Sequence, residues 1–149
     1  MKSNATLISV HPCYAEKIIS GEKKMEFRRS WATKPVDVLV IYATTPIQRI
    51  IALADVKQIF VGSKTKLWNL AKGVGGGISR RKLFNYLDGK KSAVAIELSM
   101  VKPIADGIDP KCIFGPEFRP PQSFRYLKDE EYLKLRKLIT TCTISHKER

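Results

Sequence analysis

The sequence predicts an α+β protein in which a mixed β-barrel is flanked by helices. Strand-like apolar runs outnumber helical segments, and they lack the regular strand–helix alternation of a doubly wound sheet. A mixed barrel is the simpler arrangement for such strands. The length of 149 residues fits one domain over 1–149, with a core at about 5–128 and a C-terminal helix at about 129–140.

The first half of the chain predicts one helix among three strands. Residues 6–10 form a first strand, and a helix then begins at Pro12 and ends at Gly21. The continuous apolar run at 36–42 is typical of a strand that is buried on both faces, and residues 49–61 continue the β-rich pattern.

The second half predicts two helices, a strand and a terminal helix. Residues 64–72 form a short helix, and 79–87 form a better one that begins at a serine cap and ends before an Asp-Gly pair. Residues 92–101 return to strand. Beyond Pro103 several prolines predict loops until the acidic residues 129–131 open the last helix.

The charge of the chain favours a polyanionic partner. Lys and Arg number 27 against 14 Asp and Glu, which gives a formal charge of +13. Phosphate neutralisation favours nucleic acid as a partner, although charge alone does not prove RNA or DNA binding. Surplus lysine can equally be solvated surface, so motifs must decide.

The location expected from the sequence is the cytoplasm. The N-terminus lacks the apolar core of a signal peptide, and no apolar run approaches the roughly 20 residues that cross a bilayer, so no membrane association is expected. Cys13, Cys112 and Cys142 form no CxxC pair, and their odd number predicts reduced thiols.

The segment 21–29 carries an unusual density of opposite charges inside a strand-like run. If Met25 and Phe27 face the core, the period of two places charged side chains on the opposite face. These are Lys24, Glu26 and Arg28. Charges that face inward must be paired or used, so this segment is the strongest indication of a site.

Glu26 is predicted to lie between cations. It can hold Lys23 or Arg28 in place for phosphate binding, or act as a base if its surroundings raise its pKa. Arg29 adds a second guanidinium for phosphate contact. The alternative is a surface ladder of cross-strand salt bridges, and the pattern alone leaves both interpretations open.

Several motifs, in this order, resemble the ASCH domain family. They are the GxKxxExR pattern of residues 21–28, the IYATTP segment 41–46, the GGIS segment 76–79, the YxxG stop 86–89 and the PQSFRY segment 121–126. The resemblance implies a PUA-like β-barrel with a cleft beside it. It also implies family roles centred on RNA, which include RNA binding, ribonuclease activity and hydrolysis of a modified cytidine.

Polar residues follow the buried strand at 36–42, where loops commonly present functional side chains. Tyr42 and Thr44 can contact a base edge, a phosphate or a transferred proton, and Arg49 offers a guanidinium for a phosphate. The alternative for the hydroxyl groups is a simple turn cap.

A glycine run at 73–77 precedes the helix that begins at Ser79. Free backbone amides there can receive a phosphate, with Arg80 and Arg81 in support, although a flexible loop is the alternative. The run lacks the lysine of a Walker motif, so no nucleoside triphosphate site is predicted.

Ser123 and Arg125 follow a rigid Pro-Pro pair and can close the cleft opposite the charged segment. A serine nucleophile needs an adjacent base, whereas His11 precedes a helix and His146 lies in the tail, so a Ser-His-Asp hydrolase is not expected. Two histidines and three scattered cysteines lack ligand spacing, so neither a metal nor a cofactor is predicted.

The predicted function is RNA binding, with metal-independent ribonuclease activity on single-stranded RNA as the enzymatic form. Lys23, Arg28 and Arg49 would hold phosphates, while Tyr42, Glu26 or Ser123 would assist proton transfer to the ribose 2′-hydroxyl. Non-catalytic binding by a regulatory module stays open.

The alternative enzyme is a small amidohydrolase that acts on an acylated cytidine, in which Lys23 activates the nucleophile and Glu26 moves protons. The resemblance weakens this alternative, because the amidohydrolase branch carries threonine at the position of Glu26.

Overall fold

The structure is a computed structural model that describes residues 4–147. In this part of the chain, six strands form one mixed sheet: β1 (Ala5–Val10), β2 (Met25–Arg28), β3 (Val38–Ala43), β4 (Arg49–Gly62), β5 (Ala93–Ile108) and β6 (Phe124–Tyr126). Around the sheet lie five helices of the same residue range: α1 (Pro12–Ser20), α2 (Lys64–Val74), α3 (Arg80–Tyr86), α4 (Lys111–Phe114) and α5 (Asp129–Lys147).

The strand order is β2-β5-β4-β3-β1-β6. Only the β1–β3 pair is parallel among the strand pairs of the described residues, and each of the others is antiparallel. The sheet curls into a half-barrel with helices against it, which confirms the predicted α+β, PUA-like class. Strands β2 and β6 lie at opposite ends of the strand order. Because the sheet curls, they nevertheless come close in space.

The middle of the sheet is buried on both faces, as the apolar run at 36–42 predicted. Leu39 and Ile41 of β3 pack into a core cluster with α1, whereas Val40 and Tyr42 pack into a second cluster that includes Leu135 of α5. Successive side chains of a strand point to opposite faces, so one strand contributes to both clusters.

A third cluster fixes the helices that matter for the site. Leu67 of α2 and Leu83 of α3 are fully buried against Met25 and Phe27 of β2. The prediction that these two β2 side chains face the core is therefore confirmed. The two helices pack against Met25 and Phe27, and a cavity lies between β2 and α3.

The helix boundaries at α1 follow the sequence closely. Pro12 occupies the first turn, where its missing N–H has no helical partner to lose. Gly21 ends the helix with φ of 87°, a left-handed conformation that glycine adopts without strain.

Strand β5 continues beyond the predicted end at residue 101, so the prediction of a loop directly after Pro103 is wrong. Register shifts between β4 and β5 accommodate the proline, which pairs opposite Ala52, and Met100 has φ of 50°. Bulges of this kind allow a proline within a strand. Helix α4 and strand β6 were not predicted, and α5 extends to Lys147 beyond the expected end near residue 140.

Within residues 4–147, no helix combines the length and the apolar character needed to cross a membrane. Cys13 and Cys112 are exposed free thiols. The side chain of Cys142 lies outside the described part of the chain.

Candidate functional site

A cavity of about 560 Å³ opens beside the sheet, between the end of β1, the start of α1, strand β2 and helix α3. Its size suits a single small ligand or nucleotide. Aromatic and apolar side chains form most of its wall, and three charged residues lie at its bottom. We refer to Lys23, Glu26 and Arg28 as the charged triad.

The charged triad is buried: its three residues are 2%, 7% and 8% exposed, in chain order. The Arg28 Nη2 atom lies 2.9 Å from Glu26 Oε2, and the Lys23 Nζ atom lies 3.9 Å from Glu26 Oε1. Glu26 Oε1 also accepts a hydrogen bond of 3.2 Å from the Phe27 N–H. The interpretation of the segment as an exposed salt-bridge ladder is therefore wrong, because the carboxylate and both cations are withdrawn from solvent.

Arg28 connects the two edges of the curled sheet. From β2 its Nη2 donates to the carbonyl oxygen of Ser9 on β1 at 2.9 Å, and its Nη1 donates to the carbonyl oxygen of Ser123, just before β6, at 3.2 Å. Its Nε is buried and has no hydrogen-bond partner among the described residues. Arg28 also lines the cavity, so its positive charge lies beside the space that a ligand would occupy.

Two opposing influences act on the charge of Lys23. Neighbouring groups stabilise its protonated form, and burial destabilises that form. Its Nζ donates to the Gly76 carbonyl oxygen at 2.7 Å and lies 5.2 Å from the ring centroid of Tyr14 and 4.9 Å from that of Phe27. Burial lowers the pKa of Lys23 from 10.5 to about 8, even though the Glu26 carboxylate acts in the opposite direction. Lys23 therefore gives up its proton more readily than an exposed lysine does.

Backbone carbonyl groups of the glycine run at 73–77 accept hydrogen bonds from Lys23 and from two further lysine residues. The carbonyl oxygens of Gly75, Gly76 and Gly77 accept hydrogen bonds from the Lys24 N–H at 2.7 Å, the Lys23 Nζ at 2.7 Å and the Lys17 Nζ at 3.4 Å, respectively. The sequence predicted a loop that offers amides to a phosphate. In the structure, the groups of the run that make these contacts are carbonyl oxygens, and their partners are lysine residues.

Gly77 has no room for a side chain. Its φ is 66°, and an added Cβ would lie 2.4 Å from the Lys23 Cβ. The glycine is therefore needed both for the left-handed backbone and for the close approach of Lys23.

The residues predicted around the α3 N-terminus lie outside the cavity wall. Ser79 Oγ accepts the Lys82 N–H at 3.2 Å, which makes Ser79 the predicted N-cap. The Arg80 guanidinium stacks 4.1 Å from the ring centroid of Phe84. Arg81 is exposed to solvent.

Tyr42, Thr44 and Arg49 do not join the triad. Tyr42 is 3% exposed and packs against the Phe118 ring on the α5 side of the sheet, where burial and then the Asp109 carboxylate raise the pKa of its hydroxyl. The Thr44 N–H bonds the carbonyl oxygen that ends β1 at 3.0 Å. Arg49 lines a second cavity on the other flank of α1.

Of the remaining predicted residues, Ser123 contacts the charged triad, whereas Arg125 and Arg29 make contacts elsewhere. Ser123 meets Arg28 through its carbonyl oxygen. Arg125 pairs with Glu131 at 3.3 Å and stacks on Phe114, so it faces α4 and α5. Arg29 donates to carbonyl oxygens at the end of α3 and so holds that helix in place.

The cavity also contains residues that the sequence did not single out. Among them are the polar side chains of His11, Lys82, Asn85 and Tyr86. The spacing of the last three, i, i+3 and i+4 on α3, is a signal that the sequence offered.

His11 was set aside because it precedes a helix, yet this position brings it to the cavity. As the N-cap of α1 its Nδ1 accepts the Cys13 N–H at 3.1 Å. Its other ring nitrogen, Nε2, then carries the proton and is a donor.

The half-barrel and the cavity beside it define an α+β protein with a candidate functional site at the edge of the sheet. The sequence profile of the ASCH domain matches residues 8–105, and this chain belongs to the ASCH domain family. An ASCH domain-containing ribonuclease of Zymomonas mobilis is 33% identical over 131 residues, which are 87% of this chain and 88% of the relative.

Two crystal structures of variants of the Zymomonas mobilis ASCH protein show the same fold. A tyrosine-to-phenylalanine variant matches with a TM-score of 0.82 and 32% identity over 91% of this chain and 98% of that one. A serine-to-alanine variant matches with a TM-score of 0.83 and 32% identity over 91% and 96%. The family predicted from the motifs is confirmed.

Proposed function

We propose that this protein binds single-stranded RNA and cleaves it without a metal cofactor. The observation that carries the proposal is the charged triad, which places a lysine of lowered pKa and an arginine in the lining of a nucleotide-sized cavity. The ribonuclease relative and the charge of +13 support an RNA substrate.

The proposed reaction is an attack of the ribose 2′-oxygen on the adjacent phosphorus. Neutral Lys23 accepts the 2′-hydroxyl proton, the new 2′-O–P bond forms, and the bond from phosphorus to the 5′-oxygen breaks. The leaving 5′-oxygen takes a proton from water, and the other product ends in a 2′,3′-cyclic phosphate. The positive charge of the Arg28 guanidinium stabilises the negative charge that develops on the phosphoryl oxygens.

Glu26 is a positioning residue in this scheme. Both of its carboxylate oxygens accept hydrogen bonds from the protein, one of them from Arg28. A carboxylate so engaged keeps Lys23 and Arg28 in place on either side of it.

Tyr42 and Ser123 stay candidates for a role in activity. The substituted tyrosine and serine of the two Zymomonas mobilis variants are separated by as many residues as Tyr42 and Ser123 are here. We propose that they are the corresponding positions. Tyr42→Phe and Ser123→Ala should each lower the cleavage rate while circular dichroism shows an unchanged fold, and unchanged rates would remove both residues from the proposal.

The decisive experiment is cleavage of end-labelled single-stranded RNA in EDTA. Wild type should produce fragments with 2′,3′-cyclic phosphate ends, Lys23→Ala should not, and RNA with 2′-deoxyribose at each position should stay intact. Intact RNA with the wild-type protein would exclude the nuclease. If the intact RNA is nevertheless bound with steep salt dependence, the protein is a non-catalytic RNA-binding module.

A second candidate is hydrolysis of an acylated cytidine nucleoside. The volume of the cavity favours it, since a single nucleoside can enter without the rest of a strand. Lys23 would activate the nucleophile. Incubation with N4-acetylcytidine tests this function, and the absence of acetate at high enzyme concentration would remove it.

A further inference from the structure

Helix α3 presents three side chains of different chemistry to the mouth of the cavity. Lys82, Asn85 and Tyr86 are all exposed residues of the cavity wall, and their spacing places them on one face of the helix. Lysine offers a cation, asparagine offers an amide with donors and an acceptor, and tyrosine offers a ring. These are the groups that contact the phosphate, the edge and the face of a nucleotide.

Tyr86 is an exposed aromatic ring of the cavity wall. It is 41% exposed, whereas Phe27 is 4% exposed and packs into the core beneath. A large ring left open at the rim of a cavity has an unused face, and every base stacks on such a face.

The helix that carries this ring is held at both ends. Ser79 caps its N-terminus, and Leu83 anchors its middle as a fully buried side chain. At the C-terminus Arg29 Nη1 donates to the Tyr86 carbonyl oxygen at 2.6 Å and to the Asp88 carbonyl oxygen at 3.0 Å. The ring therefore stands on a rigid support, which reduces the entropy lost when a base stacks on it.

We propose that the cavity takes one unstacked nucleotide of a single strand, with its base stacked on Tyr86, its edge at Asn85 and its phosphate between Lys82 and the charged triad. This inference rests on the proposed RNA function and specifies how the substrate is recognised. It limits substrates to unpaired RNA, because a base that is stacked and paired within a duplex has neither a free face for Tyr86 nor a free pairing edge for Asn85.

The test compares two probes of equal length and charge: oligouridylate, and an abasic oligomer with the same ribose-phosphate backbone. Tyr86→Ala should weaken oligouridylate binding on the order of tenfold and leave binding of the abasic oligomer unchanged. Tyr86→Phe keeps the ring and should bind oligouridylate like wild type. Met100→Ala, an exposed apolar substitution on β5, is the control for nonspecific surface effects.

Lys82→Ala provides the complementary result. It should weaken both probes equally and lower the salt slope of binding by about 0.7, since a phosphate contact does not depend on the base.

Equal losses on the two probes with Tyr86→Ala, or no loss on either, would overturn stacking while leaving the RNA function intact. Uridine monophosphate that binds as tightly as the oligomer would overturn the claim of a strand. Wild-type protein that binds neither oligomer would remove the proposed function and this inference together.

Discussion

The Lys23 ammonium group donates a 2.7 Å hydrogen bond to the carbonyl oxygen of Gly76, which lies 53 residues further along the chain. This bond joins the charged strand to the glycine run and sets the position of the lysine at the bottom of the cavity. The same contact requires the glycine backbone to come close, so it couples the chemistry of Lys23 to the shape of the loop.

The pH dependence of cleavage should report the Lys23 pKa of about 8. If neutral Lys23 accepts the 2′-hydroxyl proton, the rate rises with pH and levels off above about 8. Lys23→Arg keeps the charge and cannot give up its proton, so the rate should fall by about 10²- to 10⁴-fold and lose this inflection. A wild-type rate that falls as pH rises through 8 would instead assign Lys23 a purely cationic role.

The stability of the protein should also depend on pH through Lys23. The folded-state pKa of about 8 lies below the ordinary 10.5, so the unfolded chain binds more protons between these values and the free energy of unfolding rises with pH there. Relative to Lys23→Met, wild type should gain about 2 kcal/mol between pH 7 and pH 10. Urea unfolding of both proteins at the two pH values measures this, and parallel changes would contradict the lowered pKa.

Removal of Arg28 should be costly, because its guanidinium pairs with Glu26 and connects the sheet edges. Arg28→Met leaves a buried carboxylate without its partner and should lower the free energy of unfolding by about 3 kcal/mol or more. The double variant Glu26→Gln/Arg28→Met should recover part of the loss.

The matched control for Arg28 is Lys57→Met, which breaks an ion pair of 3.4 Å whose lysine side chain is 62% exposed. Its cost should not exceed about 1 kcal/mol. Similar costs for the buried and the exposed pair would show that Arg28 does not hold the sheet edges together.

A comparison of Gly77→Ala with Gly89→Ala separates the energetic cost of backbone strain from the cost of steric crowding. Both glycines have positive φ, 66° and 80°, but an added Cβ meets Lys23 at Gly77 and open space at Gly89. Gly89→Ala should cost about 1 kcal/mol, and Gly77→Ala should cost about 1–3 kcal/mol more and reduce activity. Thermal unfolding and RNA cleavage by the two variants measure the difference, and equal costs would disprove the close contact with Lys23.

Local signals in the sequence predicted the elements that depend on neighbouring residues. Pro12 and Gly21 delimited α1, Ser79 capped α3, and the apolar run of β3 was buried on both faces. The signals failed at β5, where the pairing with β4 continues past Pro103. Register shifts that accommodate a proline depend on the partner strand and leave no local pattern.

For the site as well, the sequence predicted only what depends on neighbouring residues. The period of two in β2 correctly placed Glu26 and Arg28 on one face, away from Phe27. The sequence did not show that Tyr42 packs on the other side of the sheet or that His11 lies at the cavity. Those placements depend on the curl of the sheet and the course of α1.

Patterns in the sequence identified the family, the strand that carries the charges and a set of candidate site residues. Which of these residues meet depends on long-range packing. Arg28 reaches Ser9 and Ser123 because the curl of the half-barrel brings the two sheet edges together, and Lys23 has a lowered pKa because long-range packing buries it. Burial and proximity between distant segments are properties of the folded chain, and they turn a charged strand into a candidate active site.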